Sequence, residues 1–203
     1  MNQPARVHPV NVLFAGVGGQ GTLTAARLLG EAVHRRGEPV VISQLHGMSQ
    51  RGGSVQATTA IGTDDVLPPG HSRTDILVGF ELLESVRVAD RLDGNSVAIC
   101  NRWIVVPPSA AVARRPVPAE GALCAELERD AGAVRFIDAM ALLRQAGARA
   151  SSINIVMLGA LTALEQCPVE SGELLEVIRD STVPAQWEMN QRLFALGSLA
   201  VSG

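Results

Sequence analysis

NVLFAGVGGQGTLTAARLLGEAVHRRG, from Asn11 to Gly37, is the stretch that decides the fold. Val12, Leu13, Phe14 and Ala15 form a short apolar run. Gly16, Gly18, Gly19 and Gly21 follow. Leu23, Ala26, Leu29, Ala32 and Val33 then recur at helical spacing, and Gly37 closes the segment as a C-cap. The reading is strand, glycine turn, helix. Glycine admits positive φ and lets backbone N–H groups approach a ligand at the positive end of a helix. A phosphate or another anion is the natural guest of such a turn.

The spacing Gly16-x-Gly18-x-x-Gly21 fits a dinucleotide fingerprint, which also needs an acid about 20 residues on, at the end of the second strand. That strand is expected at Pro39–Ser43 and runs into Gln44-Leu45-His46, with no acid at its end. An independent nicotinamide or flavin enzyme is therefore disfavoured. A P-loop is excluded, because it requires Gly-Lys-Ser/Thr and the chain has no lysine. A turn that serves only close strand–helix packing is the remaining alternative.

The flanking sequence extends the pattern. Residues 44–54 read as a glycine-rich loop containing His46 and Arg51. Val55, Ala57, Thr59 and Ile61 alternate as in a half-exposed strand. Further strands are expected at Asp75–Phe80, Val97–Cys100 and Val134–Asp138. Helices are expected at 81–92, 119–130, 139–145, 153–165 (capped by Ser151 or Ser152), 171–179 (capped by Ser171) and 185–197. Strands alternating with helices predict an α/β fold, a three-layer αβα sandwich with a largely parallel sheet and a Rossmann-like first βα unit. Residues 1–10 read as an N-terminal tail, 11–197 as one domain and 198–203 as a C-terminal tail.

Composition narrows the function. The chain has 203 residues, 47% of them hydrophobic, and a net charge of −3. The charge argues against nucleic acid as a partner. No apolar run reaches the ~18 residues of a membrane span, and residues 1–10 lack the apolar core of a signal peptide, so a cytoplasmic location is expected. Cys100, Cys124 and Cys167 are far apart and form no Cys-x-x-Cys, so no iron–sulfur cluster or structural zinc is expected on this chain. They read as buried free thiols. His8, His34, His46 and His71 form no metal-ligand spacing, and no Gly-x-Ser-x-Gly elbow occurs. Binding features stand without a self-contained catalytic constellation, and no catalytic residue is assigned.

Two motifs at a fixed separation carry a resemblance. Gly16-Val-Gly-Gly-Gln-Gly21, followed by His46-Gly-Met-Ser-Gln-Arg-Gly-Gly-Ser54, resembles the gamma-type subunit or domain of 2-oxoacid:ferredoxin oxidoreductases. Within that family the beta subunit of the indolepyruvate branch is the nearest likeness. The resemblance continues through Asp75–Glu81, Asn101, Asp138-Ala139, Asn154, Leu158–Leu161, Asn190 and Gly197. It implies a non-catalytic but required subunit of a heteromeric enzyme that makes acyl-CoA and CO2. Thiamine diphosphate and iron–sulfur clusters would reside in a large alpha subunit, and ferredoxin would accept the electrons. It further implies that Gly18, Gly19, Gln20 and Gly21 form a backbone cradle for a coenzyme A phosphate or a partner carboxylate. Arg51 would contact the same anion, and Gly52 and Gly53 would allow close approach. A subunit-contact loop without a ligand is the other reading of residues 46–54. A stand-alone module binding a nucleotide or coenzyme A is the alternative function.

Overall fold

Val12 and Phe14 turn to one side of the first strand and Leu13 and Ala15 to the other, and all four are fully buried. A strand buried on both faces needs cover above and below. The computed structural model supplies it, and describes residues 9–46, 53–65, 73–106 and 116–202. The strands are β1 (Val10–Val17), β2 (Val40–His46), β3 (Ser54–Ile61), β4 (Ile76–Gly79), β5 (Val97–Asn101) and β6 (Ala133–Ile137). They form one sheet in the order β2-β3-β1-β4-β5-β6.

The pairings β1/β4, β4/β5 and β5/β6 are parallel, while β3 is antiparallel to both β1 and β2. Five strands therefore share one direction and β3 alone opposes them. The sheet is mixed, as an α/β fold with helices on both sides. The reason for the reversal lies in the connection. A parallel return needs a dozen or more residues, and only residues 47–53 separate β2 from β3.

The helices are α1 (Thr22–Arg35), α2 (Leu82–Val86), α3 (Glu120–Asp130), α4 (Ala139–Ala146), α5 (Ile153–Leu161), α6 (Ser171–Asp180) and α7 (Pro184–Ser202). One face of the sheet packs Val12, Phe14, Ile76, Val78 and Ile99 against α1 and α4–α7. The other packs Leu13, Ala15, Leu77, Ala98 and Cys100 against α2 and α3. These are the expected three layers. Among the described residues no helix is long and apolar enough to cross a membrane.

Several expected boundaries move. Gln44, Leu45 and His46 belong to β2 and Ser54 to β3, because the antiparallel ladder runs out to His46↔Val55. The helix expected over 81–92 is broken. α2 ends at Val86, and a 3-10 turn spans Ala89–Arg91. The β-branched Val86 and Val88 are poor helix formers, and the Val88 N–H donates to the Ser85 carbonyl, three residues back. α5 is shorter than 153–165, since past Leu161 the chain continues in i−3 turns at Ala163 and Leu164. Its start is a 3-10 turn over Ala150–Ser152, and neither expected serine caps it through its side chain. α6 is capped from Glu170 rather than Ser171, with the Glu173 carboxylate accepting the Glu170 N–H at 2.8 Å. α7 runs past Gly197 to Ser202. Cys100 and Cys124 are buried, but Cys167 is only half-buried. Expectations for His8 and His71 lie outside the described residues.

Candidate functional site

The chain leaves β1 for α1 on one face of the sheet and leaves β4 for α2 on the other. The carboxyl ends of β1 and β4 therefore flank the topological switch point, where open α/β sheets place ligands. The glycine turn Val17–Gly21 sits there.

Its geometry follows from its residues. Gly19 (φ 97°) and Gly21 (φ 77°) are left-handed, a region costly to residues with a Cβ. Gly21 is the N-cap of α1 and offers no side-chain cap. A Cβ on Gly21 would lie 3.1 Å from the Asn154 side chain of α5, so glycine also lets α5 close on the turn. A Cβ on Gly16 would lie 2.8 Å from that of Phe80 and 2.5 Å from Gln20 Oε1.

Gln20 fills the turn from within. Its side chain is buried, with Oε1 accepting the Val17 N–H at 2.8 Å and Nε2 reaching the Phe80 carbonyl at 3.5 Å. Its backbone N–H donates to the Val17 carbonyl at 3.2 Å. The Gly18 N–H donates to the Gly53 carbonyl at 3.0 Å. The two glycine segments singled out in the sequence thus meet, carried together as the β1/β3 ladder reaches Val17↔Ser54. The N–H of Gln20 is engaged inside the turn and that of Gly18 by the neighbouring segment at Gly53. Those of Gly19 and Gly21 meet no acceptor among the described residues. Neither does the Thr22 hydroxyl oxygen, which is buried and unpaired at the first residue of α1. Arg51 and Gly52 lie outside the described residues.

A polar lattice holds the carboxyl ends of the neighbouring strands. Asn101, fully buried, donates to the Phe80 carbonyl at 3.0 Å and accepts the Ala139 N–H at 3.0 Å. It fastens β4 to the start of α4. Asp138 caps that helix through the Ala141 N–H at 2.8 Å. Glu81, also fully buried, accepts the N–H groups of Glu84 (2.6 Å) and Val105 (2.8 Å), tying α2 to the segment after β5. Burial pushes its carboxyl up from the ordinary range, and the two N–H donors oppose that shift. Sequence reading noted Asn101, Asp138 and Glu81 only as part of the resemblance, without a role. The bonds that join the elements were missed because they link residues 21 to 38 apart in the chain. The Thr22 hydroxyl was missed too, although a threonine directly after the last glycine of the turn was a signal.

The thiols do not gather into a ligand set. Cys100 and Cys124 lie in the core under α2 and α3, while Cys167 packs against the core of the opposite face. Burial raises Cys100 to about 12 and Cys167 to about 11, away from the thiolate form that binds metal. This donor set does not suit an iron–sulfur cluster.

Comparison with known proteins agrees with this architecture. Residues 11–200 match the family described as pyruvate ferredoxin/flavodoxin oxidoreductase. The indolepyruvate oxidoreductase subunit IorB of Methanothermobacter thermautotrophicus is 34% identical over 189 residues, covering 92% of this chain and 95% of that one. The pyruvate oxidoreductase subunit PORC from Thermotoga maritima superposes with a TM-score of 0.72 at 19% identity, covering 95% of this chain and 97% of that one. The 2-oxoglutarate:ferredoxin oxidoreductase from Magnetococcus marinus, solved with 2-oxoglutarate, coenzyme A and succinyl-CoA bound, also gives 0.72, at 17% identity, and 97% of this chain covers 31% of that one. By the match over residues 11–200, the chain belongs to the pyruvate ferredoxin/flavodoxin oxidoreductase family.

Proposed function

We propose that this chain is the small, non-catalytic but required subunit of a heteromeric 2-oxoacid:ferredoxin oxidoreductase of the indolepyruvate type. The observation that carries the reading is the likeness to IorB over nearly the whole of both chains. The large partner subunit would hold the iron–sulfur clusters, and also thiamine diphosphate, which supplies the electron sink for decarboxylation of the 2-oxoacid. Reduced ferredoxin would leave the complex, in the cytoplasm.

This chain's own contribution would be to bind and orient. The N–H groups of Gly19 and Gly21, with the first turn of α1, present donors unpaired among the described residues at the positive end of a helix. They suit a phosphate of coenzyme A or a partner carboxylate. Gly18, Gln20 and Gly53 hold that cradle in shape, and Arg51 and Gly52, in the adjoining segment, would complete it.

Two measurements test the proposal. Tagged chain purified without oxygen from its host should bring down a large partner, iron and thiamine diphosphate. Recovery of the chain alone would favour a stand-alone binding module. In the reconstituted complex, Arg51→Ala should raise the KM for coenzyme A about tenfold, the loss of one charge-assisted hydrogen bond. An unchanged KM would remove Arg51 from the ligand site.

A further inference from the structure

A cleft of about 530 Å³ opens on the face of the sheet covered by α1 and α4–α7, between the first half of α1, the turn before α5 and the junction of α6 with α7. That is within the size range of small-molecule sites. Leu28, Ile155 and Ile178, all buried, and half-buried Met189 are the larger apolar side chains that line it. Its rim is polar, with Arg149, Asn154 and Thr182. No Asp or Glu is among its described lining residues.

The rim is held in place by backbone chemistry. Gly147 ends α4 in the left-handed region, and the Ala148 N–H closes back on the Leu143 carbonyl at 2.9 Å. Arg149 follows at once, with its carbonyl fixed by the Ser152 N–H at 3.0 Å. On the opposite wall, Asn190 Nδ2 donates to Thr182 Oγ1 at 3.0 Å, which leaves the threonine proton for another acceptor. Asn154 rests against Gly21, and its amide has no hydrogen-bond partner among the described residues. Arg149 has no carboxylate partner among them either, while nearby Asp180 is paired with Arg35 at 2.7 Å. A second cavity, at the carboxyl ends of β5 and β6, differs in this respect. There Arg102 is bound to Glu120 at 2.8 Å, and Asp138 is committed to its helix cap.

A guanidinium unpaired among the described residues, hydroxyl and amide donors, no acid among the described lining residues and an apolar patch specify one ligand chemistry. We propose that this cleft binds a small organic monocarboxylate with an apolar body, the carboxylate meeting Arg149 and the body lying over Leu28, Ile155 and Ile178. Asn190 is a positioning residue for Thr182.

The test titrates the full-length chain with cyclohexanecarboxylate, followed by backbone amide NMR shifts. The expected result is saturable shifts confined to residues 24–28, 147–155 and 178–190. Cyclohexanecarboxamide, which lacks the charge, and inorganic phosphate, which lacks the apolar body, should each bind at least about tenfold more weakly. Arg149→Gln, at an exposed position, should weaken the carboxylate about tenfold with an unchanged thermal midpoint. Equal binding of the amide or of phosphate, shifts centred elsewhere, no saturable shift, or an Arg149→Gln chain that binds as the parent would each overturn the proposal.

Discussion

Glu81 shows how one residue's environment sets its chemistry. Its side chain is fully buried, and burial raises its carboxyl above the ordinary 4.5. In the window between those two values the folded chain holds a proton that the unfolded chain has released. Stability therefore falls as pH rises through that window and levels off above it. Glu81→Gln removes the titration but also one of two acceptors, leaving a buried N–H of Glu84 or Val105 unpaired at a cost of about 1–3 kcal/mol. Urea unfolding from pH 4 to pH 8 should show the variant less stable, with the gap narrowing as pH rises. A constant gap would mean that Glu81 does not titrate in the folded chain. Single residues were unevenly legible at this scale. The left-handed Gly19, Gly21 and Gly37 all lie where turn chemistry called for glycine. The inward turn of Gln20 was not, because nothing local distinguishes an amide that faces a ligand from one that replaces it.

Elements were legible where their periodicity was local and illegible where a neighbour decided the outcome. Gly197 reads from sequence as the end of the last helix, since glycine favours the position after a C-cap. It lies instead inside α7, for a tertiary reason. A Cβ there would collide with the Val156 carbonyl of α5, and one on Gly159 would collide with the Phe194 carbonyl of α7. The two helices cross with their backbones in contact at this glycine pair. That contact fixes the sign of a substitution. Alanine in place of a mid-helix glycine stabilises by about 1 kcal/mol when there is room. At Gly197 it must push two helices apart, so Gly197→Ala should destabilise by a net ~1–3 kcal/mol. Gly172, in the first turn of α6, would place its Cβ in open space, and Gly172→Ala should be neutral or stabilising by up to about 1 kcal/mol. Denaturant midpoints of the two variants settle the matter, and a stabilised Gly197→Ala chain would refute the close crossing. The absent serine caps teach the same lesson. Ser151 and Ser171 satisfy a local rule, but a 3-10 turn and the Glu170–Glu173 pair meet the need instead.

At the scale of the molecule, the layers were legible because buried strands and amphipathic helices alternate in the sequence. The place of β3 was not read, although the short 47–53 connection required a reversed strand. That reversal matters for function, since it brings Gly53 beside Gly18 at the switch point. Oxidation of a 2-oxoacid to an acyl-CoA releases two electrons, which a ferredoxin enzyme passes through iron–sulfur centres. The three thiols here are divided between opposite faces of the sheet, and Cys100 and Cys167 are held far from the thiolate form. The candidate site offers N–H donors and a hydroxyl. The purified chain, supplied with indolepyruvate, thiamine diphosphate, coenzyme A and a viologen dye, should therefore reduce no dye above the protein-free rate. Adding the large subunit should start the reaction, with activity saturating at a fixed ratio of the two chains. Sustained turnover by the chain alone would overturn the subunit reading. Full activity of the large subunit without this chain would remove it from the enzyme and leave a binding module.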